Sequence, residues 1–283
     1  MRVYGSDAIR NVAFVGHGGS GKTTLVDALA FVSGASRRHG NIKDGTTLTD
    51  YTPDEIARQH SISLGLAYAE WMDTKLNLLD TPGYLDFFGE VVTGLHAADA
   101  AVVVVSGVSG VEVGTEKAWE VCDRLHLPRL IFVGQMDKEH ANFERVFADV
   151  KAHLSPKVLP VEVPIGEGST FRGIVNLFSG KSHIYKPGTK SGEYDEVEVP
   201  AEHQAEVKKY SDLLIETVAA TDDALIERYL GGEEIPREEV IAATDFVMPA
   251  IEIIDSRFSG FKFDLPSVVA DNSSSARYVL GGR

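Results

Sequence analysis

The chain has 283 residues, 43% of them hydrophobic, and a formal net charge of −15. That length and apolar content support one large domain or two modest ones, and the acidic balance argues against the basic face that direct, sequence-specific nucleic-acid binding needs. A single cysteine, Cys122, excludes an internal disulfide and suits a reducing compartment, so a cytoplasmic protein is expected.

Met1 to Ser6 is short and polar, and predicts no signal peptide. An apolar segment, Val12–Val15, reads as a strand, and Thr23–Val32 reads as a helix. Between them runs Gly16-His17-Gly18-Gly19-Ser20-Gly21-Lys22-Thr23. Strand, glycine loop and helix in that order, with a complete G-x-x-x-x-G-K-[ST] match, predict a phosphate-binding P-loop. Its glycines let successive backbone N–H groups turn toward a phosphate, and the helix N-terminus adds partial positive charge there. The cradle is expected to run from Gly16 through Thr24. Lys22 would reach the β/γ-phosphates, and the Thr23 hydroxyl would ligate Mg²⁺. Gly16, Gly18 and Gly21 also satisfy the dinucleotide pattern G-x-G-x-x-G. A pyrophosphate needs no lysine, however, and no acidic residue ends a second strand about 20 residues on.

A long polar stretch, Gly45 to Ser63, predicts a loop that orders on Mg²⁺ and γ-phosphate, with Ser61 a candidate hydroxyl ligand. Ile62–Trp71 and Lys75–Leu79 read as one hairpin closed by a tight turn. Asp80-Thr81-Pro82-Gly83 ends that second strand, with 57 residues between Lys22 and Asp80. A carboxylate at a strand's C-terminal end is placed to hold Mg²⁺, and the Gly83 N–H to bond the γ-phosphate. Leu85–Leu95, Gly114–Leu125 and Phe143–Leu154 read as helices. Ala100–Val105 and Leu130–Val133 read as buried parallel strands. The run Ala100–Val105 is the longest apolar one and far too short to cross a bilayer, so no membrane partner is expected.

Phe132-Val133-Gly134-Gln135-Met136-Asp137-Lys138 closes the last of these strands. Guanine-nucleotide proteins carry N-K-x-D at this place. Asp137 keeps the carboxylate that accepts from guanine N1–H and N2–H₂, which adenine cannot offer. Gly134 and Gln135 replace the asparagine and the lysine. Guanine selectivity is expected to persist but weaken, by about 1–3 kcal/mol of lost contacts. From Pro156 to Ala243 the texture changes. Val158–Pro164, Gly173–Asn176 and His183–Lys186 read as short strands, Lys190–Asp195 as a loop, and Glu202–Ala220 and Asp222–Tyr229 as helices. Residues 191–245 hold sixteen acidic and four basic side chains, which reads first as a solvated helical face and, as the alternative, as an acidic docking surface for a basic partner. The fold expected is α/β: a P-loop sheet, mostly parallel and covered by helices on both faces, over residues 1–155. An inserted acidic α+β subdomain over 156–243 and a short β segment over 244–283 complete it.

At these motifs the chain resembles the nucleotide-binding domain of translation elongation factor G. The likeness is greatest to the elongation factor G-like branch, with its GHGGSGKTT loop and DTPGY segment, and covers residues 1–243. The resemblance implies a P-loop GTPase acting on the ribosome, with guanine nucleotide (GTP or GDP) and Mg²⁺ as ligands. It implies that Lys22 and Thr23 bind phosphate and Mg²⁺, that Ser61 stands at the switch threonine, that Asp80 and Gly83 form the second Mg²⁺/γ-phosphate element, and that Asp137 reads the base. Three departures follow. Tyr84 stands where the main branch has the histidine that orients the attacking water, and a phenol cannot become an imidazolium near neutral pH. Gly134 and Gln135 change the base-binding strand. The G-S-A base loop does not follow Ala243. Instead MPAIEIIDSRF and VVADNSSSARYVLGG resemble the end of an acid hydratase or decarboxylase of the fumarylacetoacetate-hydrolase superfamily, in which Glu252 would be one metal carboxylate. The expected function is a Mg²⁺-dependent GTP-binding protein with slow GTPase activity. The alternatives are a non-catalytic nucleotide- or ribosome-binding module and a metal-dependent 2-oxo acid hydratase fragment.

Overall fold

A computed structural model describes residues 3–188, 193–220, 223–233 and 235. The segment 244–283, with its expected terminal strand and Glu252, lies outside the described residues.

Among the described residues, five strands form the main sheet in the order β2-β3-β1-β4-β5. They are β1 (Ile9–Val15), β2 (Gly65–Trp71), β3 (Thr74–Asp80), β4 (Ala100–Ser106) and β5 (Arg129–Gly134). β3, β1, β4 and β5 run parallel, and β2 pairs antiparallel with β3. The hairpin turn holds Met72 and Asp73 at φ 41° and 62°, the left-handed pair a two-residue turn requires. Helix α1 (Lys22–Val32) covers one face. Helices α3 (Phe88–Ala97), α4 (Val113–Leu125) and α5 (Phe143–His153) cover the other. The two-residue side-chain period divides the strands cleanly. Ala13, Val15, Val103 and Val105 join the larger core cluster, while Phe14, Val102 and Val104 join that beneath α1.

Three sequence expectations are corrected here. The strand expected from Ile62 begins only at Gly65, because the N–H groups of Ile62, Ser63 and Leu64 donate to Glu55 and Glu90 rather than to a ladder. The expected loop 45–63 contains a helix, α2 (Pro53–Arg58), started by a capping box in which Thr52 and Glu55 satisfy each other's N–H groups. Leu85–Phe87 is a 3₁₀ turn that leads into α3 rather than α-helix.

The chain after α5 forms a second, antiparallel sheet in the order β6-β7-β8-β9: β6 (Glu162–Ile165), β7 (Gly173–Asn176), β8 (Lys181–Tyr185) and β9 (Tyr194–Glu198). The end of the expected loop 190–195 thus lies in a strand. Helices α6 (Gln204–Ala219) and α7 (Asp223–Leu230) follow. Phe143 and Phe147 of α5 stack at 6.0 Å, and Tyr210 of α6 meets both edge-on at 5.8 Å. One continuous apolar cluster runs from Val103 and Val105 through Phe143 and Ile165 to Tyr210 and Leu214.

Candidate functional site

The site gathers at the C-terminal ends of β1, β3, β4 and β5, where parallel strands deliver their loops to one edge. The P-loop leaves β1 at Gly16, whose added Cβ would strike the Val104 carbonyl of neighbouring β4. Only glycine tolerates that approach. Gly21 takes φ 106° to bring Lys22 and Thr23 into the first turn of α1, with Thr24 half-buried beside them. Lys22 is 5% exposed and donates to the Gly16 and His17 carbonyls at 3.2 and 2.8 Å. His17 accepts from the Gly114 N–H at its Nδ1, 3.2 Å away, which ties the loop to the start of α4.

Around Thr23, residues of the 45–63 segment and the end of β3 converge. Its hydroxyl lies 3.1 Å from that of Ser61. The Thr49 hydroxyl donates to Asp80 Oδ2 at 2.5 Å. Asp50 is buried beside them, and neither of its oxygens has a hydrogen bond of good geometry. Asp80 Oδ1 and Ser20 Oγ are likewise buried without a partner. Burial pushes Asp80 up to about 6, against the opposing pull of the Thr49 and Thr23 hydroxyls and of Lys22. Burial also lowers Lys22 to about 8, while Asp80 and Asp50 hold it up. Asp50 is raised by burial, which the nearby Ser61 hydroxyl only partly offsets. Orphaned carboxylate oxygens beside two hydroxyls fit a hard, hydrated cation, and the N–H groups of the P-loop fit phosphate oxygens.

Gly83 stands against this cradle: a Cβ there would lie 2.5 Å from Lys22 Nζ and 2.6 Å from the Gly18 amide nitrogen. Tyr84 follows, 43% exposed, with its ring over Gly18. Gln135, at φ 63°, spans the far side. Its Oε1 accepts from the Ser106 hydroxyl at 2.9 Å, and its Nε2 donates to the Gly19 carbonyl at 2.8 Å. Gly134 keeps its place in β5, and its carbonyl accepts from Gly107 N–H at 2.8 Å. The strand end is therefore braced by the Gln135 side chain. Asp137 follows three residues after Gly134, beyond the half-buried Gln135 and the buried Met136.

A glycine-rich loop, a buried lysine, a strand-end carboxylate and the Ser61 and Thr49 hydroxyls thus meet at one sheet edge. A family model, the elongation factor Tu GTP binding domain, matches residues 7–249. The chain belongs to this family. Its members' domain is a translational-GTPase-type nucleotide-binding domain, and the fold described above is of that kind. A solved protein from Thermus thermophilus is similar over 95% of this chain, with 36% identity and a TM-score of 0.83. This chain spans 40% of that protein's length. The family match runs past Thr244, where the hydratase resemblance was expected to begin, and no comparison supports that resemblance.

Sequence reading missed four residues of this elongation factor Tu-type site: Asp27, Thr49, Asp50 and Glu55. Asp27 accepts from the N–H groups of Gly40 and Leu48 and so pins the loop before the switch to α1. A buried acid in an otherwise apolar helix was the available signal. Thr49 and Asp50 stood in a stretch recognised as switch-like, but nothing local marks which hydroxyl or carboxylate turns inward. No helix among the described residues is long and apolar enough to cross a membrane.

Proposed function

We propose that this chain binds GTP and GDP with Mg²⁺ and hydrolyses GTP slowly, as a cytoplasmic protein whose partner is the ribosome. The observation that carries the reading is the burial of Lys22, Asp80 and Asp50 near one another beneath a complete P-loop. Such charges stay in the interior at a cost unless a ligand of matching charge completes the set. Backbone N–H groups from Gly18 to Thr24 would hold the phosphates, with Lys22 as a point charge on the β/γ oxygens. Thr23, Ser61 and Asp80 would hold the metal, which when bound neutralises charge that builds on the phosphates. The Thr49 hydroxyl fixes the Asp80 carboxylate, and Asp137 would select guanine. Gln135 takes over the bridging of P-loop and base strand, but its amide adds no charge. Tyr84 would orient the attacking water through one phenol hydroxyl, and this restricts the rate.

Because Gly83 lies against Gly18 and Lys22, a third phosphate has to move that segment aside, whereas a diphosphate need not. GDP is therefore expected to bind more tightly than GTP. The test is a titration of guanine and adenine nucleotides with and without Mg²⁺. Guanine binding that Lys22→Ala reduces by at least a hundredfold supports the proposal, and equal affinity for ATP and GTP overturns it. The same contact of Gly83 favours a second reading, a nucleotide-holding module without turnover. Phosphate release in a single turnover separates the two.

A further inference from the structure

Tyr84 is exposed along much of its surface and opens only a short 3₁₀ turn, so its own element does little to fix its ring. Two contacts from elsewhere do. On the P-loop, Gly18 leaves room for it. A Cβ there would lie 3.1 Å from the ring carbon that bears the hydroxyl and 3.2 and 3.3 Å from two other ring carbons. From the switch, the His60 ring meets the Tyr84 ring with centroids 4.7 Å apart and planes at 59°. His60 also faces Phe87 at 6.2 Å. His60 is itself held: its next neighbours, Ser61 and Ile62, are fixed by Thr23 and by Glu55.

We propose that His60 is a positioning residue for Tyr84, keeping the phenol over Gly18 so that its hydroxyl end faces the phosphate cradle. The inference deepens the hydrolysis reading above and rests on it. In the step concerned, a water oxygen bonds to the γ-phosphorus as the bond from that phosphorus to the β–γ bridging oxygen breaks. GDP leaves with the electron pair, and the water proton passes to the released phosphate. A phenol has one hydroxyl rotor and two side-chain torsions, so without a second ring beside it the water-orienting geometry is populated only part of the time. His60 acts here through ring packing, and Gly18 through the space it leaves. The same contact joins the segment that carries Ser61 directly to the segment that carries Gly83.

The test is single-turnover GTP hydrolysis measured beside GDP affinity. His60→Ala is expected to slow hydrolysis about tenfold while GDP affinity stays within twofold, and His60→Phe to restore the rate to within threefold of wild type. Gly18→Ala, at a backbone conformation open to alanine, is expected to slow hydrolysis by displacing the ring. The pair His60→Ala with Tyr84→Ala should be no slower than Tyr84→Ala alone. A His60→Ala protein that hydrolyses at the wild-type rate, or losses that add in full, overturns this inference while the hydrolysis reading stands. A wild-type chain that binds no guanine nucleotide overturns both.

Discussion

At Asp80 and Lys22 the fold holds charge against its own interest. The Asp80 carboxyl, at about 6, costs stability once it ionises, so its penalty is absent below its ordinary value near 3.8 and complete above about 6. Lys22, at about 8, carries the mirror penalty: complete below about 8 and gone above its ordinary 10.5. Near pH 7 both are in force. Asp80→Asn should therefore raise the Tm of the nucleotide-free protein by roughly 3–6 °C while abolishing the Mg²⁺ dependence of nucleotide affinity. Calorimetry and titration of one sample check both halves, and a lowered Tm would refute the account. The P-loop residues were legible in sequence because their chemistry is contiguous along the chain. Thr49 and Asp50 were not, because their role depends on meeting Asp80, thirty residues away. Cys122 lies buried in the core, and burial pushes its thiol up to about 11.

Among the elements, α2 shows what a short helix can do. Burial works against the charge of Glu55. The Thr52 hydroxyl and the N–H groups of Ile62, Ser63 and Thr52 outweigh it and hold the carboxyl below its usual range. That contribution is present above about pH 4.5 and fades as acid protonates the group. Glu55→Ala should free the 59–64 segment at a cost of about 1–3 kcal/mol. Trypsin should then cleave after the exposed Arg58 at least tenfold faster in the native protein. Unchanged cleavage would mean that the clasp does not hold the switch. Period and length made α1, β3, β4, α4, β5 and α5 readable within a residue, whereas β1 starts three residues before the expected Val12. The six residues of α2 span too few turns to show a period, and β9 puts its two apolar-bodied residues, Tyr194 and Val197, on opposite faces, which leaves no apolar stripe to recognise.

Taken whole, the molecule carries its inserted region on a shared core rather than on a tether. Tyr210 is 1% exposed, and its ring is the contact that α6 makes with Phe143 and Phe147. Tyr210→Ala should cost about 3–5 kcal/mol and lower the Tm of the whole chain in a single thermal transition. Two separated transitions would show that the regions at 1–155 and 156–243 melt independently. The parallel sheet was legible from the alternation of apolar runs and helical periods, whereas the sharing of one core was not, since no residue pattern records which helices meet. β1 lies in the middle of the main sheet, with β3 on one side and β4 on the other. The loop that would grip the phosphates is thus rooted in the central strand, while the segments that would travel join β2 at the rim and β3 beside it, so the grip can keep its shape as they swing.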